Sequence, residues 1–200
     1  MAPLGPSGAS VAAGAGDGNL VDVRDSRGFT LIELLLVLLI VGVLLGISMA
    51  NYRQARLRGA EASAIASLSA INQAQFAFMQ TCGSQKFAPK LTSLGRPNPS
   101  TNAPFLSPEL TAADEVDKSG YRISIAGQEV TEPLLTCTGD VPLESYHVTA
   151  DPVLPRVTGY RYFATNMDLV IYEQLDDSFK GKMPDHGSPS LGQEIRGIAR

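Results

Sequence analysis

Residues Phe29 to Ala50 read FTLIELLLVLLIVGVLLGISMA, 22 residues that carry one charge, Glu33. In an apolar surround every backbone N–H and C=O must be satisfied within the segment, so such a run forms a helix. At 1.5 Å per residue it reaches about 33 Å, enough to cross the hydrocarbon core of a bilayer. The sequence therefore predicts a membrane segment over 29–50. Downstream, NYRQARLRGAEASAIASLSAINQAQFAFMQ (51–80) contains no proline and is dense in Ala, Leu, Gln, Arg and Glu, all good helix formers. Its apolar residues Leu57, Ala64, Leu68, Ile71 and Phe78 recur at spacings of three, four or seven, which lays them along one face. One helix from about Phe29 to Gln80 is predicted: apolar all round over 29–50, amphipathic over 51–81, and packed there on a soluble domain.

Upstream, residues 1–28 are rich in Gly, Ala and Ser and lack periodicity, so they bury too little apolar surface to offset the entropy of ordering. They read as a leader. In an ordinary secretory signal the small-residue cleavage site follows the apolar stretch, whereas here Gly28 precedes it. Cleavage at Gly28 leaves the apolar run on the mature chain, which implies that the run has a task after export.

Residues 82–200 form the expected head. Cys82 and Gly83 end the helix, with Gly83 suited to a left-handed cap. A proline-rich loop over 84–107 holds at most a turn of helix at KLTSLG, and Ser107-Pro108 is the signature of a short helix through Leu110 to Ala113. Alternation at Tyr121, Ile123 and Ile125, and at Tyr146 and Val148, predicts strands, and GYRYFATNMDLVIYEQ (159–174) predicts two more around a turn at Asn166 to Asp168. The tail after Gly181 is polar and receives no structure. The fold class is α+β, a long helix on a small antiparallel sheet.

Cys82 and Cys137 are the two cysteines, with no CxxC pair and no histidine spaced for metal. One disulfide, formed outside the cytoplasm, is the simplest use; two buried thiols are the alternative.

The block Arg27-Gly28-Phe29-Thr30-Leu31-Ile32-Glu33 resembles the processing site of type IV prepilins and type II secretion pseudopilins. The resemblance covers the leader junction and apolar helix closely, and the two-cysteine sheet domain more loosely. It implies that a prepilin peptidase cuts between Gly28 and Phe29 on the cytoplasmic side and methylates the new Phe29 amine. It further implies an inner-membrane precursor, partnership with the pilus assembly machinery, and self-polymerisation through the N-terminal helix into an extracellular or periplasmic filament. Arg24 and Arg27 precede the run and Arg53, Arg56 and Arg58 follow it, so charge alone does not set the orientation, and the motif places the N-terminus inside. Many pilins carry a helix proline where this chain has Ala50, so no proline kink is expected; Gly42 and Gly46 are where the helix could bend. Within the resemblance a pilus subunit is favoured over a secretion pseudopilin, because the acidic, Gly-rich calcium loop of major pseudopilins is not recognisable. An uncut, signal-anchored periplasmic binding module is a further alternative.

Glu33 carries its own argument. A carboxylate in an apolar helix is costly to bury and marks a functional position. Cleavage before Phe29 creates a cationic amine, and in a staggered bundle the amine of one copy can lie beside Glu33 of another. Glu33 is therefore the predicted assembly residue.

No pattern indicates an enzyme, a cofactor or a metal site. His147 and His186 are the only histidines and belong to no nucleophile elbow or HExxH motif. Asp114, Glu115 and Asp117, like Asp176 and Asp177, lack the spacing of a calcium loop and read as solvated turns. Net charge is −4, and after Cys82 eleven Lys and Arg face fifteen Asp and Glu. Nucleic acid is accordingly not an expected partner, although Arg122, Arg156 and Arg161 could form a local basic groove.

Overall fold

The computed structural model describes residues 28–131 and 135–195, and leaves the side chains of residues 47–51 undescribed. The leader, apart from Gly28, lies outside the described residues, as do Arg196 and Arg200. The chain divides into two compact units, Met1–Leu44 and Leu45–Arg200.

One helix, α1, runs from Leu31 to Thr81 and is unbroken at Gly42 and Gly46. In the first unit its side chains are exposed on every side. Among the described residues no helix is long and apolar enough to cross a membrane.

In the second unit the expected stripe is buried. Ala64, Leu68, Ile71 and Phe78 are in the core, joined by Ala74, while Leu57 is half-buried. The stripe packs on Tyr121, Ile123, Tyr146, Val148 and Phe163 of the sheet in one continuous cluster. Six strands form the sheet: β1 Glu115–Lys118, β2 Tyr121–Glu129, β3 Leu143–Pro152, β4 Tyr162–Asn166, β5 Ile171–Gln174 and β6 Gln193–Glu194. They lie in chain order and every pairing is antiparallel. β2 pairs with β3 from Tyr121↔Pro152 to Glu129↔Leu143, with an irregularity at Gln128/Glu129. Two short helices, α2 (Leu91–Leu94) and α3 (Pro108–Thr111), bury Leu91, Leu94 and Leu110. Aromatic pairs knit these parts together: Phe78 meets Phe105 edge-on at 5.3 Å between centroids, and Phe87 meets Tyr146 at 4.7 Å.

Four details depart from the sequence reading. The tail after Gly181 is structured, because β6 adds to β5 and Met183 is buried in a second cluster with Ala164, Tyr172 and Phe179. Glu115–Lys118 is an edge strand, not a turn: Val116 points inward and the acids outward. Ser107 occupies the N-cap of α3 without a side-chain cap bond. Finally, Gly83 does not take a left-handed conformation; Ser84 and Gln85 do, at φ 51° and 67°. What Gly83 supplies is clearance, since a Cβ there would lie 2.0 Å from the Lys86 carbonyl oxygen.

The cross-strand partner of Arg122 is Asp151. Ser178 Oγ donates to Asp151 Oδ2 at 2.5 Å, while Oδ1 is buried without a hydrogen-bond partner among the described residues. Burial pushes this carboxyl above the usual range, and the Ser178 bond opposes the shift. A raised folded value means that the folded chain holds the proton more tightly than the unfolded chain. Stability from this group is therefore present at low pH and is lost as pH rises through the window above the ordinary carboxylate value. Asp151→Asn is expected to stabilise the head by about 1 kcal/mol at neutral pH, with the gain vanishing below about pH 4. Thermal unfolding of both proteins across pH checks this, and equal curves at neutral pH would remove the claim.

Candidate functional site

The N-terminal end of α1 is built by two short interactions. Thr30 accepts from the backbone N–H of Glu33 through Oγ1 at 3.3 Å and from that of Leu34 through its carbonyl at 3.2 Å. It thereby occupies the capping position, with Glu33 three residues on, the spacing of a capping box. Glu33 sits in the first helical turn, where a negative charge is favoured by the helix dipole. A free amine at Phe29 would add positive charge at this same positive end, so the carboxylate offsets a local electrostatic cost as well as being available to a neighbour. The capping role of Thr30 was legible as Thr-Leu-Ile-Glu before an apolar run, yet the sequence reading passed over it.

Gly28 and Phe29 precede the first turn, outside any helix or strand. Phe29 is 84% exposed. Glu33 is exposed too, and the large apolar residues between Leu31 and Leu45 range from 42% to 76% exposed. That is the principal physical property of this end: a run of apolar side chains that are exposed around the helix. Contiguous patches of this size mark an interaction surface.

The two cysteines are brought together. Cys82 and Cys137 form a disulfide with 4.9 Å between Cα atoms, closing a separation of 55 residues. Next to it, the Cys137 N–H donates to the Cys82 carbonyl at 3.0 Å.

The remaining candidates have structural partners. His147 Nδ1 lies 2.5 Å from Asp185 Oδ1, and Ser145 donates to the other oxygen of that carboxylate at 2.6 Å. His186 lies 2.5 Å from Asp168. Asp114 accepts from Thr92 at 2.5 Å and faces Lys90; the Thr92 bond is the main reason its carboxyl sits below the usual range. Asp117 holds Arg122 through two bonds of 2.8 and 2.9 Å, which lowers the acid and raises the base. Asp177 is engaged by Lys182 and is likewise lowered. Among the described residues no group of three or more His, Cys, Asp or Glu could hold a metal. Of the three arginines considered for a basic groove, Arg122 and Arg161 are engaged by carboxylates and Arg156 is exposed.

The sequence reading missed three polar residues on the buried face of α1. Glu61 accepts from Arg161 Nη2 at 2.6 Å and Nε at 2.9 Å, and from the Tyr160 N–H at 3.1 Å. Arg161 also donates to Glu173 at 2.6 Å and lies over the Phe163 ring. Burial works against the Arg161 charge, but Glu61 and then Glu173 outweigh it and hold the guanidinium above its ordinary value. Asn72 donates to Thr165 at 2.8 Å and accepts from the Tyr146 hydroxyl at 3.1 Å. Gln75 substitutes for a strand neighbour: its amide accepts from Ala88 N–H at 2.8 Å and donates to Ala88 O at 2.9 Å. Glu61→Ala is expected to cost the head about 2 kcal/mol, less than a fully buried pair, because Arg161 keeps Glu173 and reaches solvent. Denaturant unfolding in detergent measures it, and a loss below about 0.5 kcal/mol would show the pair to be dispensable.

Comparison with known proteins bears on the same end of the chain. The family model described as the prokaryotic N-terminal methylation motif matches residues 23–49. No curated protein and no solved structure is a match. The matched stretch runs through the Gly28-Phe29 junction, Thr30, Glu33 and the exposed apolar turns of α1: the chain carries the prepilin-type cleavage and methylation signal of the type IV pilin and pseudopilin families.

Proposed function

We propose that the chain is a structural subunit of a type IV pilus filament. It is made as an inner-membrane precursor, cut between Gly28 and Phe29 by the prepilin peptidase, methylated on Phe29, and polymerised through the apolar part of α1. The observation that carries this reading is the exposed apolar side chains from Leu31 to Val43 that lie within the matched methylation motif. Water does not tolerate such a surface on a lone chain, so lipid must cover it before assembly and other copies afterwards. The sheet domain supplies the part presented to the outside, and its disulfide suits an oxidising compartment.

Mass spectrometry of the chain from membranes and from sheared filaments tests the reading. An N-terminus at methylated Phe29 is expected, and a native chain that begins at Met1 would overturn it. Imaging a deletion strain separates the two filament classes: a pilus subunit leaves cells without surface filaments, whereas a secretion pseudopilin leaves them unable to export.

A further inference from the structure

The connection from β3 to β4, Val153–Arg161, holds three large apolar side chains in solvent: Leu154 at 56%, Val157 at 68% and Tyr160 at 52% exposure. A slack loop does not explain this. Val153 N–H donates to Gly120 O at 2.9 Å, Arg156 N–H to Gly159 O at 2.8 Å, Val157 N–H to Leu154 O at 3.0 Å, and Tyr160 N–H to Glu61 at 3.1 Å. Gly159 passes so close beneath Tyr121 that a Cβ would lie 2.0 Å from its hydroxyl oxygen. The backbone is tied down by its own hydrogen bonds, and the three side chains are displayed outward from it.

This display adjoins a particular turn of α1. Arg56, Leu57 and Ala60 line one recess together with Val157 and Thr158, and Arg156 and Tyr160 line a second recess with Tyr162, Leu175 and Asp176. On α1 itself Tyr52, Arg53, Arg56 and Arg58 are all exposed. Arg56 follows Ala50, the end of the apolar run, by about 9 Å along the helix at 1.5 Å per residue. Four arginines, two tyrosines and two aliphatic side chains are therefore exposed around the first turns beyond that run. Glu61, the acid nearest on the helix, is already held by Arg161.

Arginine and tyrosine on an apolar body form the composition of a surface that sits at the headgroup level of a bilayer. We infer that the Val153–Arg161 connection and the Tyr52–Arg58 turns of α1 form a footing that seats the head of the precursor on the membrane and binds anionic phospholipid headgroups. This rests on the reading above, in which the apolar run lies in lipid. Leu154, Val157 and Tyr160 enter the interface, and Arg53, Arg56, Arg58 and Arg156 meet the phosphates. Charge and continuity select lipid over a second copy. Asp176 shares the recess with Arg156, so the helix cations Arg53, Arg56 and Arg58 carry the charge argument: a self-complementary contact would bring them together, whereas the membrane surface begins where the apolar run ends.

The chain contains no tryptophan, so Tyr160→Trp gives a single fluorophore on the footing. The full-length chain is reconstituted in phosphatidylcholine vesicles, with or without phosphatidylglycerol, and in matching vesicles brominated near the headgroup. Co-flotation with the vesicles reports on the apolar run separately. The expected result is blue-shifted emission, quenched by the shallow bromines in anionic vesicles, with quenching cut roughly twofold or more by high salt or by Arg53→Ser, Arg56→Ser and Arg58→Ser together. Val157→Trp is expected to behave alike, which guards against a local effect at Tyr160. Water-like emission that ignores bromine in a chain that co-floats would overturn the footing and leave the filament reading standing. A chain that does not co-float would overturn that reading and the footing with it. A blue shift that grows with protein-to-lipid ratio but is insensitive to bromine would assign this face to a second copy and overturn the lipid assignment.

Discussion

Glu33→Ala is expected to yield a precursor that inserts and is cut normally but does not build filaments. Glu33 is exposed and is not part of the described core of the sheet domain, so folding of that domain is expected to be unaffected. Cleavage needs Gly28 and Phe29 in an accessible junction, and both precede the first turn of α1. On the proposed function, what the substitution removes is the mate of the Phe29 amine of a neighbouring copy. Leaving one member of a buried pair unmatched costs about 3 to 5 kcal/mol per contact. Repeated at every joint of a polymer, that penalty moves the assembly equilibrium far toward the membrane pool, since each 1.4 kcal/mol is tenfold. Sheared-filament yield at equal membrane content is the measurement, with Glu33→Gln as the milder comparison. Wild-type yield from the alanine variant would dismiss the pairing.

Breaking the Cys82–Cys137 bond is the second large effect. With a sequence separation of 55 between the cysteines, the bond removes much of the freedom of the unfolded chain, a stabilisation of about 2 to 4 kcal/mol. Its loss should be felt at the end of α1, where the Cys137 N–H donates to the Cys82 carbonyl, and at α2, because the 136–140 turn also holds Ser93 and Arg96 through Asp140. The paired change Cys82→Ser and Cys137→Ser is expected to lower the unfolding midpoint of the head and to increase its proteolysis in the periplasm, while cleavage at Gly28 continues. An unaltered midpoint under reducing and oxidising conditions would show that the bond carries no load in stability.

Much of this architecture can be read from residue order, for reasons that differ by element. The helix was legible because a long apolar run followed by Ala64, Leu68, Ile71 and Phe78 has no other regular solution. The strands at Tyr121, Tyr146 and 159–174 were legible because alternation is a local signal. Glu33 stood out as the one charge in an oily stretch. The polar half of the buried stripe was not visible in the same way. Glu61, Asn72 and Gln75 fall on the core face of α1, but what makes them tolerable there is Arg161, Thr165 and Ala88, and no short-range pattern announces Arg161 or Thr165. The tail misled for the opposite reason: its composition is polar, and the cluster of Ala164, Tyr172 and Phe179, all outside it, gives Met183 a place to pack. At the N-terminal end, the methylation-motif match over residues 23–49 falls on the stretch that residue types alone had singled out, because such a signal is a local stretch of chain.

The ties between α1 and the head also have a mechanical consequence. Glu61, Asn72 and Gln75 fasten one helix to three different parts of the domain over about 21 Å of its length at 1.5 Å per residue, with a covalent clasp just past its end. In a fibre joined through that helix, tension enters each copy along the helix axis. The fastenings then share the pull side by side, in shear, instead of opening one after another like a zip. A head attached in this manner withstands extension of the fibre until several links fail together, and the clasp at Cys82 is the last to give.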